Sequence, residues 1–205
     1  MLRKEIYRCH KTFNIMLKNV IKKLITFIMC KIHGISCGQN CYIGYNLKHV
    51  NNSKSKGVKL GNNVIIRPGC KMYTNSSNGI CIESYTEIGE YSTISCNNKI
   101  IIEEGVLTGP HVFISDHNHN YENPKLPIYA QGISNAPNSK IIIGNGSWLG
   151  TNSVIVGNIH IGKHCVIGAN SVVTKNIPDY CVAAGVPARI IKKYNFTTET
   201  WEKIL

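Results

Sequence analysis

From residue 141 the chain reads "IIIGNG SWLGTN SVIVGN IHIGKH CVIGAN SVVTKN", with an aliphatic residue at 143, 149, 155, 161, 167 and 173. A step of six fits neither a helix, at 3.6 residues, nor a plain strand, at 2, so each hexad must be one short strand and one turn. Three hexads close one triangular coil. The aliphatic residue then points inward and stacks on its equivalent in the next coil, so the core grows as a column. Small residues after it let the chain bend, and Asn in "GNN", "GAN" and "TKN" suits turn positions with positive φ. An antiparallel sandwich would instead space its strands about 8 to 12 residues apart with variable turns.

Earlier blocks share the phase: Leu60, Ile66, Met72; then Ile82, Ile88, Ile94; then Ile102, Thr108, Ile114. Between blocks the phase slips. The gap from Met72 to Ile82 exceeds one hexad by 4, that from Ile94 to Ile102 by 2, and that from Ile114 to Ile143 by 23. The first two are small corner loops. The third is a long insertion that opens "FISDHNHNYENPKLPIYAQG" (113–132); its Pro124, Pro127 and Pro137 argue against helix. Insertions in a solenoid project from one face, and a loop anchored by rigid coils on both sides is where catalytic groups sit.

A length of 205 residues suits one domain. The nine cysteines are scattered, without a CxxC and without a signal-peptide pattern, which points to reduced thiols in the cytoplasm. No apolar run approaches the ~18 residues of a membrane span; "LITFIMC" (24–30) is bounded by Lys22, Lys23 and Lys31. The net charge of +12 is uneven: residues 1–33 hold eight Lys or Arg against Glu5 alone. That excess attracts anionic membrane, acidic polysaccharide or nucleic acid. Nucleic acid is not expected, because no zinc-finger, RNP or helix-turn-helix signature accompanies it. Phe13, Met16, Leu17, Val20, Ile21, Leu24, Phe27 and Ile28 recur at helical spacing. They predict an N-terminal amphipathic helix that either covers the open first coil or meets a membrane surface. "TTETWEKIL" (197–205) starts with cap-type Thr and an early Glu199, which predicts a short final helix.

The repeat [LIV]-G-x-x-[SAV]-x between Ile35 and Ile191, closed by "VVTK...IP...VAAGVPAR.I", resembles the hexapeptide-repeat acyltransferases. That resemblance implies an all-β fold, a left-handed parallel β-helix; period alone does not fix the hand. The expected organisation is a basic helical segment at 1–33, a β-helix at 34–188 with a protruding loop at about 115–140, and a tail at 189–205.

An imidazole, with an unperturbed pKa of about 6.5, is the side chain suited to take a proton from a hydroxyl at neutral pH. In the galactoside, maltose, nodulation-factor and xenobiotic acetyltransferases that this chain resembles, such a histidine sits where a coil ends and the long loop begins. That place belongs here to His117, with His119 second. Asp116 either orients the imidazole or caps the turn, and Asp116, Asn118 and His119 are candidate acceptor contacts. His111, at a hexad corner, faces solvent or a neighbouring subunit. Trp148 matches the family's "W-[IL]-G" tryptophan beside the histidine and the thioester arm, and Thr151 N–H matches its oxyanion donor. Ala169, Thr174, Lys175, Arg189 and Lys192 match the end of the acetyl-CoA groove, with Lys175, Arg189 and Lys192 toward the adenosine phosphates.

The expected activity is direct transfer of acetyl from acetyl-CoA to a hydroxyl of a saccharide, a capsule, O-antigen or other surface-glycan precursor. The resemblance further implies a homotrimer with donor grooves between neighbours, in the cytoplasm or at the inner face of the membrane, and no metal. Alternatives are a γ-class carbonic anhydrase using His111, His117 and His119 on zinc, a serine or other small-molecule acetyltransferase, and a non-catalytic scaffold.

Overall fold

The six-residue phase becomes three parallel ladders. The structure, a computed structural model, describes residues 20–51, 57–77, 79–134 and 138–204. Face one stacks Ser36–Cys37, Val58–Leu60, Ile80–Ile82, Lys99–Ile102, Lys140–Ile143 and Ile159–Ile161. Face two stacks Tyr42–Ile43, Ile65–Ile66, Glu87–Ile88, Leu107–Thr108, Trp148–Leu149, Val166–Ile167 and Cys181–Ala184. Face three stacks Lys48–Asn51, Lys71–Thr74, Thr93–Cys96, Phe113–Ser115, Val154–Val156 and Val172–Val173.

Register confirms the column. On face one Leu60 pairs with Ile82, Ile82 with Ile102, Ile102 with Ile143 and Ile143 with Ile161, steps of 22, 20, 41 and 18 residues. Those steps are eighteen plus the three insertions counted from sequence. Face three aligns Met72, Ile94, Ile114, Ile155 and Val173 in the same way, and every one of these side chains is buried. Thr108 takes an inward position usually filled by Ile; its Oγ1 accepts the Gly89 N–H at 2.8 Å, so its burial leaves no orphaned polar group. Asn63 and Asn170 have the expected positive φ, but Asn176 of "TKN" does not: its Oδ1 accepts the His160 N–H instead.

Three expectations change. Residues 200–203 are a strand, not a helix: Arg189–Asn195 pairs antiparallel with Cys181–Ala184 and then with Thr200–Lys203. The Asn195 Oδ1 accepts the Thr197 N–H at 2.8 Å and closes the turn, and Tyr194 meets Trp201 across the hairpin at 5.4 Å, so turn and cross-strand ring pairing override the Thr cap signal. Cys30 and Cys37 form a disulfide between the N-terminal helix and the first coil, against the expectation of reduced thiols throughout.

The helix is present over residues 20–33, but its apolar stripe is turned the other way. Val20, Ile21, Leu24, Phe27 and Ile28 are exposed, while Thr26, Met29 and Cys30 meet the coil. Polar pins decide that orientation: the Ile43 N–H donates to Thr26 Oγ1 at 3.0 Å, and His49 Nδ1 meets the His33 carbonyl at 2.9 Å. Phe13, Met16 and Leu17 lie outside the described residues, as does Pro137.

Candidate active site

The long insertion begins where face three of the fourth coil ends. Asn118–His119 and Ile133–Ser134 pair antiparallel at its base, and a single 3-10 turn, Ile128–Ala130, follows Pro127. Ser139 Oγ donates to the Asp116 carbonyl at 3.0 Å and fastens the far end of the loop to its start.

Asp116 is the most heavily bonded side chain there. Its carboxylate is fully buried; Oδ1 accepts the Asn97 N–H at 2.7 Å, and Oδ2 accepts the N–H groups of Asn98 at 2.8 Å and Lys99 at 2.9 Å. These donors lie at the corner between Ile94 and Ile102 that carries the two-residue insertion, with Lys99 opening the next strand. The small phase slip therefore builds a nest of backbone N–H groups for an anion that arrives from the next coil. Burial alone would raise the Asp116 carboxyl, but the His117 hydrogen bond and the three backbone donors together bring it below the ordinary carboxylate range.

His117 Nδ1 lies 3.0 Å from Asp116 Oδ1. An ionised carboxylate only accepts, so this contact assigns the proton to Nδ1 and leaves Nε2 with its lone pair. Ser115 Oγ donates to the His117 carbonyl at 2.9 Å and holds the backbone beside it. The result is a partly exposed imidazole, fixed in tautomer and aim, at the mouth of the loop. Asp116 both caps a turn and orients His117, which a bend at 116 permits where an extended strand would not. Its burial does not fit the expected contact with acceptor. Asn118 and His119 are exposed on the loop's strand pair.

The expected donor groove lies along another edge. Trp148 points outward from face two in a row with Leu107 and Val166, half-exposed. At the following corner the N–H groups of Gly150 and Asn152 are spent on the Ile167 and Pro110 carbonyls. The next turn places exposed Ala169 there, and a Cβ on Gly109 would meet Thr151 N at 2.7 Å, so glycine keeps that backbone open. Arg189 pairs with Ala184 and Lys192 with Val182 on face two, while Thr174 and Lys175 follow the last strand of face three. One whole face, on the order of 15 Å of strand, separates the Trp148, Thr151 and Ala169 edge from His117, whereas Thr174 and Lys175 follow face three as Asp116 and His117 do and stand at the same corner. Within one chain Trp148 and His117 therefore do not meet.

The zinc reading finds little support. The His111 ring stacks on Tyr91 at 5.4 Å at a corner where its φ is positive, and His117 Nδ1 is taken by Asp116. Among the described residues no three His, Cys, Asp or Glu gather as metal ligands. Sequence reasoning found His117 but missed the 97–99 nest, whose only signal was the two-residue slip. A groove of about 740 Å³ lies elsewhere, between the N-terminal helix and the first coil.

Residues 140–175 match the family described as "Bacterial transferase hexapeptide (six repeats)". The chain is 34% identical over 150 residues to "Putative lipopolysaccharide biosynthesis O-acetyl transferase WbbJ" of Escherichia coli (strain K12), covering 71% of this chain and 76% of that one. It is 38% identical over 105 residues to the galactoside O-acetyltransferase of the same organism, about half of each chain. The crystal structure of AntD, an N-acyltransferase from Bacillus cereus in complex with dTDP and 3-hydroxybutyryl-CoA, superposes with a TM-score of 0.68 at 22% identity, over 84% of this chain and 90% of that one. AntD shares the fold, and the 34% identity to WbbJ over 71% of this chain and 76% of that one places this chain in the bacterial hexapeptide-repeat transferase family.

Proposed function

We propose that this transferase moves acetyl from acetyl-CoA to a hydroxyl of a saccharide bound for a surface glycan, with His117 as general base. The observation that carries the reading is the Asp116–His117 pair, seated on three backbone N–H groups at the loop mouth. The names of WbbJ and the galactoside enzyme supply the acceptor class.

His117 Nε2 takes the hydroxyl proton as the sugar oxygen attacks the thioester carbonyl. The C–O bond forms, Thr151 N–H holds the oxyanion, and the C–S bond then breaks. The departing thiolate takes the proton back from His117 Nε2, so no covalent enzyme intermediate and no metal is needed. Trp148, Ala169 and Thr174 line the pantetheine arm; Lys175, Arg189 and Lys192 face the phosphates. Asn118 and His119 face the acceptor. Because the two edges stand a face apart, the site assembles between copies: His117 of one subunit works beside the Trp148 edge of the next, in a homotrimer.

Kinetics on His117→Ala and Asp116→Asn, with acetyl-CoA binding measured separately, test this. His117→Ala should lose about 10² to 10⁴ in kcat with donor binding unchanged. Asp116→Asn, which keeps one acceptor oxygen but no longer fixes the tautomer, should lose about tenfold or more in kcat and leave KM for acetyl-CoA in place. Full kcat in His117→Ala with loss in His119→Ala would move the base to His119. Transfer to amines but to no hydroxyl across a glycan panel would overturn the acceptor class.

A further inference from the structure

The outward side of helix 20–33 is more apolar than the side it docks with. At about 100° per residue, Val20, Ile21, Leu24, Phe27, Ile28 and Ile32 fall within an arc of about 140°. Leu24 is 57% exposed, Phe27 61% and Ile32 70%. Lys31 lies inside that arc with its Nζ 5.8 Å from the Phe27 ring centre, Lys23 stands at its border toward the coil, and Lys22 lies on the docked side with its Nζ 5.3 Å from the Tyr42 ring centre.

Charge follows the same polarity. Between Glu5 and Glu83 the sequence holds twelve Lys or Arg and no Asp or Glu, whereas residues 83–205 hold nine Lys or Arg against ten Asp or Glu. The whole positive excess belongs to the N-terminal end. On face three Lys48 and Lys71 are register partners and both exposed, so like charges stand side by side there, with the Lys48 Nζ also 6.0 Å from the Tyr73 ring centre. Coils stack at about 4.8 Å, so the charges of the first two form one patch behind the helix.

We propose that this end of the solenoid docks on an anionic lipid bilayer, with the apolar arc of helix 20–33 in the headgroup boundary and the lysines of the helix and first coils on lipid phosphates. The two properties together select the occupant. An acidic polysaccharide engages the charge but not the apolar arc. A second copy of this chain would fill the arc but brings the same positive charge. A bilayer with acidic headgroups satisfies both. Among the described residues no helix is long and apolar enough to cross a membrane, so the contact is a surface one.

The test is co-sedimentation of the full chain with vesicles of equimolar phosphatidylcholine and phosphatidylglycerol, and with phosphatidylcholine alone. Binding to the mixed vesicles is expected at low salt, at least tenfold weaker on phosphatidylcholine, and at least tenfold weaker in 1 M salt, where the Debye length is about 3 Å. The variant Leu24→Gln, Phe27→Gln, Ile28→Gln should lose at least tenfold in vesicle binding with its unfolding midpoint and its mass by light scattering unchanged. The proposal fails if the parent ignores anionic vesicles, or if the triple variant binds them as well as the parent does. It also fails if the triple variant falls to a lower mass, since a second copy then covers the arc, or if the parent is held by an acidic polysaccharide and not by vesicles.

Discussion

Both ends of a parallel solenoid leave a coil uncovered, and the two ends of this molecule close it by opposite means. At the C-terminal end the chain reverses, adds two antiparallel strands to face two, and packs Tyr180, Tyr194, Phe196 and Trp201 edge to face at 4.8–5.4 Å. At the N-terminal end a helix is pinned by the Thr26 hydrogen bond, the Cys30–Cys37 disulfide and the His33–His49 contact, and its larger apolar residues face out. Ring pairing serves closure at one end, where Phe196 and Trp201 still keep exposed sides; polar pins do so at the other, where the helix turns its apolar arc outward.

If this contrast holds, the largest loss belongs to the aromatic end. Tyr194 makes two edge-to-face pairs, to Phe196 at 5.0 Å and to Trp201 at 5.4 Å. At about 0.5–1.5 kcal/mol per pair plus the buried ring area, Tyr194→Ala should cost about 3 kcal/mol in urea unfolding. A loss under about 0.5 kcal/mol, the range of an ordinary surface change, would mean that the hairpin is decoration and the closing strand alone suffices.

Thr26→Val sharpens the other side. Valine keeps the shape but leaves the buried Ile43 N–H without its acceptor, a penalty of about 1–3 kcal/mol. Because the helix is a separate closing element, the loss should appear as faster amide exchange across 20–33 and at Ile43, with the column at 140–173 unchanged. Equal acceleration throughout the column would show that the two ends unfold as one unit, and the contrast between them would lose its meaning.

What the sequence conveyed follows the same division. Ile143, Leu149 and Ile155 could be placed inward because a six-residue step returns the repeated aliphatic residue to the same side in each hexad; the second inward position two residues earlier, Ile141, Ser147 or Ser153, carries no such repeated aliphatic signal. A helical stripe, by contrast, says which residues share a face and not which way that face is turned; Thr26 and Cys30, the side that docks, read as gaps in the pattern. The final hairpin was lost to a valid local signal, since Thr and an early Glu do favour helix starts, and only Tyr194 meeting Trp201 across a turn outweighs them. His117 was legible from its place at the coil's end. Its partner was half legible: Asp116 stood beside it, but the N–H nest that fixes Asp116 comes from residues 97–99 of the preceding coil, and two surplus residues in a repeat do not say what they will hold.

The smallest effect concerns His49, which touches the N-terminal pins directly. Burial, as the main cause, holds its pKa below the ordinary histidine value, with the His33 carbonyl pulling the other way and His33 itself adding to the depression. Its Nε2 is buried without a hydrogen-bond partner among the described residues. The folded protein therefore favours neutral His49, while the unfolded chain titrates near about 6.5. Below that value the unfolded state binds the proton more readily, so the contribution of His49 is complete above about pH 6.5 and declines as pH falls toward the depressed folded value. Carboxylates whose pKa is depressed, Asp116 among them, keep their contribution until much lower pH. The loss between pH 7 and pH 5 should thus be confined to the helix end and read as faster amide exchange in 20–33. His49→Gln, which retains a donor for the His33 carbonyl but does not titrate, should flatten that dependence. If the variant shows the same acid sensitivity as the parent, the helix is released by some other group, and His49 is a passive member of the contact.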